Sequence, residues 1–287
     1  MSQIHQDIVE YAFSIKATDR YSLNLLTGVG GVCYMVNDDL MNVLALRSYQ
    51  FDTIENASKQ AFFQRQLKTI FQEDPYLRLP YRSVKMAMSG TPATLIPTEL
   101  YQEKDKAKYF QNIAPTSMYE RFDADELSHL NLINVYPVEN AIVELVQMYF
   151  PSLKVYHAYS ALIEGYRRLT GVQSGHRVFM NVRDSRVQLF VFHDDKLIFN
   201  NGFTFRTHKD LIYFVMLIFN QFELDPDETP LMMTGDIAEN SDICKYLYRY
   251  VRYIGFVPAP NYFKFGNQFR EVLSHSYFDL FCLSVLS

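Results

Sequence analysis

The sequence predicts an α/β protein with mixed sheets, made of two halves that share one order of elements. Three observations carry this. Residues 177–204 read as three short strands rich in Val, Phe and Ile, joined by turns at Arg183-Asp184-Ser185 and His193-Asp194-Asp195, which is the hairpin signal. A helix follows, because Leu211, Phe214, Val215, Ile218, Phe219 and Phe222 recur at helical spacing. The same order recurs over residues 21–72, a repeat of pattern and not of residue identity.

In the second half, Val178, Met180 and Val182 mark one face of the first strand, and Val187, Leu189 and Val191 one face of the next. Phe190 and Phe192 make the opposite face apolar too, which suits a sheet covered on both sides. Thr207 stands three residues before Asp210, a helix-start signature. Pro230–Thr234 is a strand, Asn240 or Ser241 caps a helix to about Tyr250, Val251–Val257 is strand-like, and two helical stretches near 267–274 and 277–286 follow.

In the first half, Val9–Ile15 is an edge-strand candidate, and the strands Tyr21–Leu26, Val32–Val36 and Asn42–Tyr49 are separated by Thr27-Gly28-Val29-Gly30-Gly31 and Asn37-Asp38-Asp39. Asp52 precedes Glu55 by three residues and opens a helix to about Gln72. Arg82–Met88 is a fourth strand. Residues 89–137 are less regular and read as an insertion, with a strand at Leu130–Val135 and a helix starting at Pro137. Lys154–Tyr159 is a strand and Ser160–Leu169 a helix closed by Gly171. The division between halves falls near Thr170–Gly175, which makes 1–172 and 173–287 the expected domains.

Composition narrows function mainly by exclusion. The chain has 287 residues, 48% of them hydrophobic, and a net charge of −5, enough for two cores and without the basic stripe that nucleic-acid binding needs. Lys245, Arg249 and Arg252 interleave with Tyr246, Tyr248, Tyr250 and Tyr253; a helix running into a strand accounts for that pattern. Cys33, Cys244 and Cys282 are scattered and odd in number, which points to reduced thiols and a cytoplasmic address. No leader and no apolar run of membrane length is visible, so membrane insertion is not expected. His157, His176, His193 and His208 share no ligand spacing on one element, so no metal site is expected. Nucleotide P-loop, nucleophile-elbow and zinc-protease motifs are absent.

Each half therefore reads β-β-β-α-β-α-β-α. That order resembles the ribonuclease-H-like unit, and two in tandem resemble the actin-like ATPase fold. The chain is similar to an uncharacterised bacterial family with that fold, distantly similar to actin-like proteins of pilus and secretion machines. The resemblance implies an interlobe nucleotide cleft, in which an Asp on the first strand of each half holds magnesium and the following Gly-rich hairpin holds phosphates. The matching positions in the first half are Asn24, Thr27, Gly28, Gly30 and Gly31, and in the second Asn181, Arg183, Asp184 and Ser185. Thr234, Gly235 and Asp236 stand where a nucleoside-binding Gly-Gly turn is implied. Asn replaces Asp twice, and a neutral carbonyl is a poor substitute in a magnesium site. Phosphoryl transfer depends on charge stabilisation. The expectation is a non-catalytic scaffold with a degenerate cleft, no ATP or magnesium, and another protein as partner. A divergent ATPase or kinase-like nucleotide binder is the alternative. The scaffold reading also expects an exposed aromatic patch drawn from Tyr246, Tyr248, Tyr262 and Phe263.

Overall fold

The computed structural model describes every residue except Met1, Val29, 52–58, 114–120, 171–173 and Ser287. The helix start expected at Asp52–Glu55 and part of the expected boundary at Thr170–Gly175 lie outside the described residues. The sequence places the division near 172. By packing, Met1–Ala161, Asn261–Val272 and Leu280–Ser287 form unit 1, and Leu162–Pro260 with Leu273–Asp279 form unit 2.

Unit 1 is built on a seven-stranded sheet of order β1-β4-β3-β2-β5-β9, with β15 also pairing β4. Its strands are β1 (Ser2–Val9), β2 (Ser22–Gly28), β3 (Gly31–Asn37), β4 (Asn42–Phe51), β5 (Ser83–Met88), β9 (Lys154–His157) and β15 (Lys264–Phe265). β2, β3 and β4 are antiparallel neighbours, while β5 runs parallel to β2 and β9 parallel to β5. Helix α1 (Lys59–Glu73) buries Phe63, Leu67, Ile70 and Phe71 in a core shared with Leu23, Leu25, Tyr34 and Met86. Helix α3 (Asn140–Gln147) adds Ile142, Val143 and Val146 to it. Each such side chain contributes about 1.5–3 kcal/mol by leaving water.

The expected insertion is a three-stranded sheet of order β6-β8-β7, formed by β6 (Thr94–Pro97), β7 (Arg121–Leu127) and β8 (Leu132–Val138), with the short helix α2 (Lys106–Tyr109) between β6 and β7. Pro137 lies inside β8 and does not begin the following helix. It pairs with Phe122 of β7, while β6 covers only Leu132–Val135, so Pro137 sits where one side of the strand needs no N–H donor. Val9–Ile15 is likewise not a strand: β1 ends at Val9, and Ile15–Arg20 is a 3-10 helix. The strand expected at Lys154–Tyr159 ends at His157, where helix α4 (Ala158–Thr170) begins.

Unit 2 carries a five-stranded sheet of order β12-β11-β10-β13-β14, from β10 (His176–Arg183), β11 (Arg186–His193), β12 (Lys196–Thr204), β13 (Leu231–Gly235) and β14 (Ile254–Phe256). β10, β11 and β12 are antiparallel neighbours, and β13 and β14 run parallel. The order and directions match those of β4-β3-β2-β5-β9, so the repeat of pattern is a repeat of topology. Helix α5 (His208–Gln221) starts on the expected capping box: Thr207 Oγ1 accepts the Asp210 N–H at 3.3 Å and Asp210 Oδ2 accepts the Thr207 N–H at 2.9 Å. Its buried face packs with Val178, Met180, Leu189 and Val191, alongside helix α6 (Asp242–Leu247). The expected terminal helices shorten to a 3-10 turn at Asn267–Phe269 and α7 (Phe278–Leu283).

Candidate functional site

In unit 2 the sequence-selected residues gather at the hairpin end of β10. Asn181 is buried, and its Nδ2 donates to Thr234 Oγ1 at 3.0 Å on the neighbouring strand β13. Thr234 Oγ1 also bonds the hydroxyl of Tyr166, whose ring stacks on Phe179 at 4.3 Å. The carboxamide is therefore tied into a packed polar row.

Asp184 and Ser185 form the two-residue turn between β10 and β11, both with positive φ (48° and 59°). That is the mirror-image turn whose twist suits a hairpin, and Asp is at home in it. Gly235 is required by geometry. Its φ is +89°, and a Cβ there would meet Val182 O at 2.0 Å. The next residue, Asp236, donates its N–H to Val182 O at 2.7 Å.

Arg183 is the most heavily bonded side chain of the group. Its Nε and Nη2 donate to the two carboxylate oxygens of Asp279 at 2.6 and 2.7 Å. Nη2 also donates to Ser276 O at 2.7 Å, and Nη1 to Asp236 Oδ1 at 3.2 Å. Asp279 is 1% exposed. Sequence reasoning missed Asp279, which carries no local signal and lies far along the chain.

In unit 1 the selected residues separate. Thr27, Gly28, Gly30 and Gly31 stand at the hairpin end of β2, where Gly28 pairs with Gly31. Thr27 Oγ1 donates to Ala87 O at 3.3 Å, and Ser89 donates its N–H and its hydroxyl to Thr27 O at 2.8 and 3.1 Å. Gly30 O accepts the Phe51 N–H at 3.0 Å. A Cβ on Gly28 would meet Ser89 Oγ at 2.2 Å, and one on Gly31 would meet Tyr49 O at 2.1 Å. Backbone packing thus accounts for Gly31, whereas Gly28 is crowded by a single side-chain hydroxyl.

Asn24 lies toward the other end of β2. It is 1% exposed, and its Nδ2 donates to Asn37 Oδ1 at 3.1 Å. It lines a polar cavity of about 270 Å³ with Ser22, Asn37, Asp38, Lys85 and Ser284. Lys85 Nζ donates to the carbonyls of Ser284 and Leu286. Burial, and then the charge of Lys154, draws its pKa below the usual lysine range. Lys85 is a second residue that the sequence did not single out.

Register also decides which positions correspond between the units. Ser89 N–H bonds Thr27 O just as Asp236 N–H bonds Val182 O. The residue preceding Thr27 is Leu26, so the counterpart of Asn181 is Leu26, which is 4% exposed, and not Asn24.

The aromatic expectation is redrawn. Phe263 is 6% exposed and belongs to the core of unit 1, packed on Phe281. Tyr262 is half-buried in the same unit. In unit 2, Tyr246 stacks with His208 and lies under Arg249, while Tyr248, Tyr250, Tyr253 and Tyr213 are exposed. All three cysteines are buried. Among the described residues no helix is long and apolar enough to cross a membrane.

Two units of one topology, each with strand order third-second-first-fourth-fifth and a hairpin at the end of its first strand, define an actin-like ATPase fold. The chain belongs to the family described as "Protein of unknown function (DUF3822)", whose model matches residues 10–254. Among solved structures it is similar to a Bacteroides thetaiotaomicron protein with actin-like ATPase fold and unknown function. Identity is 18% over 85% of this chain and 93% of that one, with a TM-score of 0.77. It is also similar to a chain of a PilM-PilN type IV pilus biogenesis complex, at 13% identity over 92% and 97% of the two chains and a TM-score of 0.62. A third similarity is to the ethanolamine utilization protein EutJ from Carboxydothermus hydrogenoformans, at 9% identity over 98% and 93% and a TM-score of 0.51. No curated protein matches the sequence.

Proposed function

We propose that this protein is a non-catalytic actin-fold scaffold that works in the cytoplasm by binding another protein, and that it does not use ATP and magnesium. The observation that carries this reading is the bonding of Arg183. At the hairpin end of β10, where the fold would place metal and phosphate, a guanidinium already spends its donors on Asp279, Ser276 and Asp236.

The donor set is a poor fit to a magnesium nucleotide. Mg²⁺ wants hard anionic oxygens in octahedral array. The two strand positions offer the buried alkyl chain of Leu26 and the carboxamide of Asn181. The carboxylate of Asp279 is already paired bidentately. The PilM-PilN structure, in which a protein of this fold is seen in a biogenesis complex, lends support to a protein as partner.

The second reading, a divergent nucleotide binder, draws on the glycines at Gly28, Gly30 and Gly31. It is weakened at Gly31, where backbone packing against Tyr49 already requires the lack of a side chain. A thermal-shift titration with ATP, ADP and Mg²⁺ separates the two. A ligand specific for the native state adds about 2.7 kcal/mol at a hundredfold excess over its Kd. The scaffold reading expects no shift up to millimolar nucleotide. A magnesium-dependent rise in Tm overturns it.

A further inference from the structure

His176 and His193 stand directly opposite each other in the β10–β11 ladder, with ring centroids 4.4 Å apart and planes inclined by 51°. Both are exposed, His193 with 49% of its side chain in solvent. Two imidazoles bound to one ion through nitrogens at about 2.0–2.1 Å, at an angle between right and tetrahedral, have centroids roughly 4.5–5 Å apart. The observed centroid separation lies close to the lower end of that range.

A neighbouring carboxylate completes the frame. Asp194 Oδ1 accepts the Gly175 N–H at 2.9 Å, which orients the group. Its Oδ2 lies 3.6 Å from His193 Nδ1. A carboxylate beside a ligating imidazole selects the tautomer that leaves the other nitrogen for the metal. Were that gap to close to hydrogen-bonding distance on metal binding, the His193 proton would sit on Nδ1 and the lone pair on Nε2.

We propose that His176 and His193 form a surface chelate for a first-row divalent cation of the borderline-soft class, Zn²⁺, Ni²⁺ or Cu²⁺. Imidazole nitrogen suits these ions, whereas Mg²⁺ and Ca²⁺ want oxygen. Among the described residues no set of three His, Cys, Asp or Glu closes around a metal, so water fills the remaining positions and the site is open. Directly opposed strand residues hold their Cβ atoms about 4.5–5.5 Å apart. Binding of the second imidazole is then intramolecular, and it gains from effective concentration. Helical or loop ligand spacing does not reveal such a pair, because only strand register brings the two residues together.

The test is isothermal titration of the untagged chain with Zn²⁺ and with Ni²⁺, together with electron paramagnetic resonance of the Cu²⁺ complex. One ion per chain is expected. His176→Ala and His193→Ala should each weaken binding on the order of 100-fold, the loss that follows when a linked second ligand is removed. The double variant should be little worse than either single one, and His129→Ala should bind as the parent does. The Cu²⁺ spectrum should show two coupled imidazole nitrogens in the parent and one in each single variant. Mg²⁺ should give no heat. Stoichiometric binding that survives in the double variant overturns the proposal. So does a parent affinity no better than that of the double variant.

Discussion

Arg183 and Asp279 meet in a two-pronged ion pair, Nε to Oδ2 at 2.6 Å and Nη2 to Oδ1 at 2.7 Å. The pair fastens the end of β10 to the segment that follows Ser276, and the acid is buried. A planar guanidinium fits a carboxylate in this way and an ammonium does not.

Removing the cation should therefore be costly. Arg183→Ala leaves Asp279 buried without that partner and should lower stability by about 3–5 kcal/mol, the range for breaking a buried pair from one side. Arg183→Lys keeps the charge, loses the fork, and should fall between. Urea unfolding followed by circular dichroism measures both. A parent-like midpoint for Arg183→Ala would show that the contact holds nothing together.

Asp125 should give unit 1 an acid-side gain in stability. Its carboxylate accepts from Tyr136 Oη at 2.8 Å, the His157 N–H at 2.8 Å and Ser160 Oγ at 2.6 Å. Burial nevertheless dominates and raises its pKa from 3.8 to about 6. The folded state thus holds this proton more tightly than the unfolded chain does. Between about pH 4 and pH 6 the native protein binds more protons, and stability contributed by this group falls as pH rises. The cost at neutral pH is roughly 3 kcal/mol, of which about 1 kcal/mol accrues between pH 5 and pH 7. Asp125→Asn should lack that slope. The stability difference between parent and variant, measured at pH 5 and pH 7, should move by about that amount in favour of the variant at pH 7. A constant difference would refute the assignment.

The two hairpin glycines should differ in tolerance. A methyl group on Gly31 runs into the backbone carbonyl of Tyr49, whereas one on Gly28 meets only the hydroxyl of Ser89. Gly31→Ala should cost about 1–3 kcal/mol, as overpacking does. Gly28→Ala should cost less, and Ser89→Ala in the same chain should recover the loss. Melting temperatures of the three variants decide this. Failure of Ser89→Ala to rescue would mean that Gly28 is needed for something other than packing.

How much was legible in advance can be seen in particular elements. The hairpins around Asp184 and Asp194, the capping box at Thr207 and Asp210, and the apolar stripe of α5 are short-range signals, and the structure keeps them. β7 was not legible, because Arg121, Asp123, Asp125 and Glu126 crowd a strand at the edge of a small sheet. Charge on an edge strand guards against unwanted pairing and hides the strand from an apolar pattern. Pro137 misled for a related reason, since its place in β8 depends on how far β6 extends beside it.

By itself, the sequence determined the α/β class, the two-fold recurrence and most strand and helix positions, because hydrophobic period, turn chemistry and caps act within a few residues. Tertiary structure decided the rest. It gave Leu26 and not Asn24 as the counterpart of Asn181, made Asp279 the partner of Arg183, drew Phe263 into the core, and set His176 against His193. Those relationships rest on strand register and on contacts between residues far apart in the chain. A shift of one residue in register reverses which face every side chain occupies, and no local pattern records it.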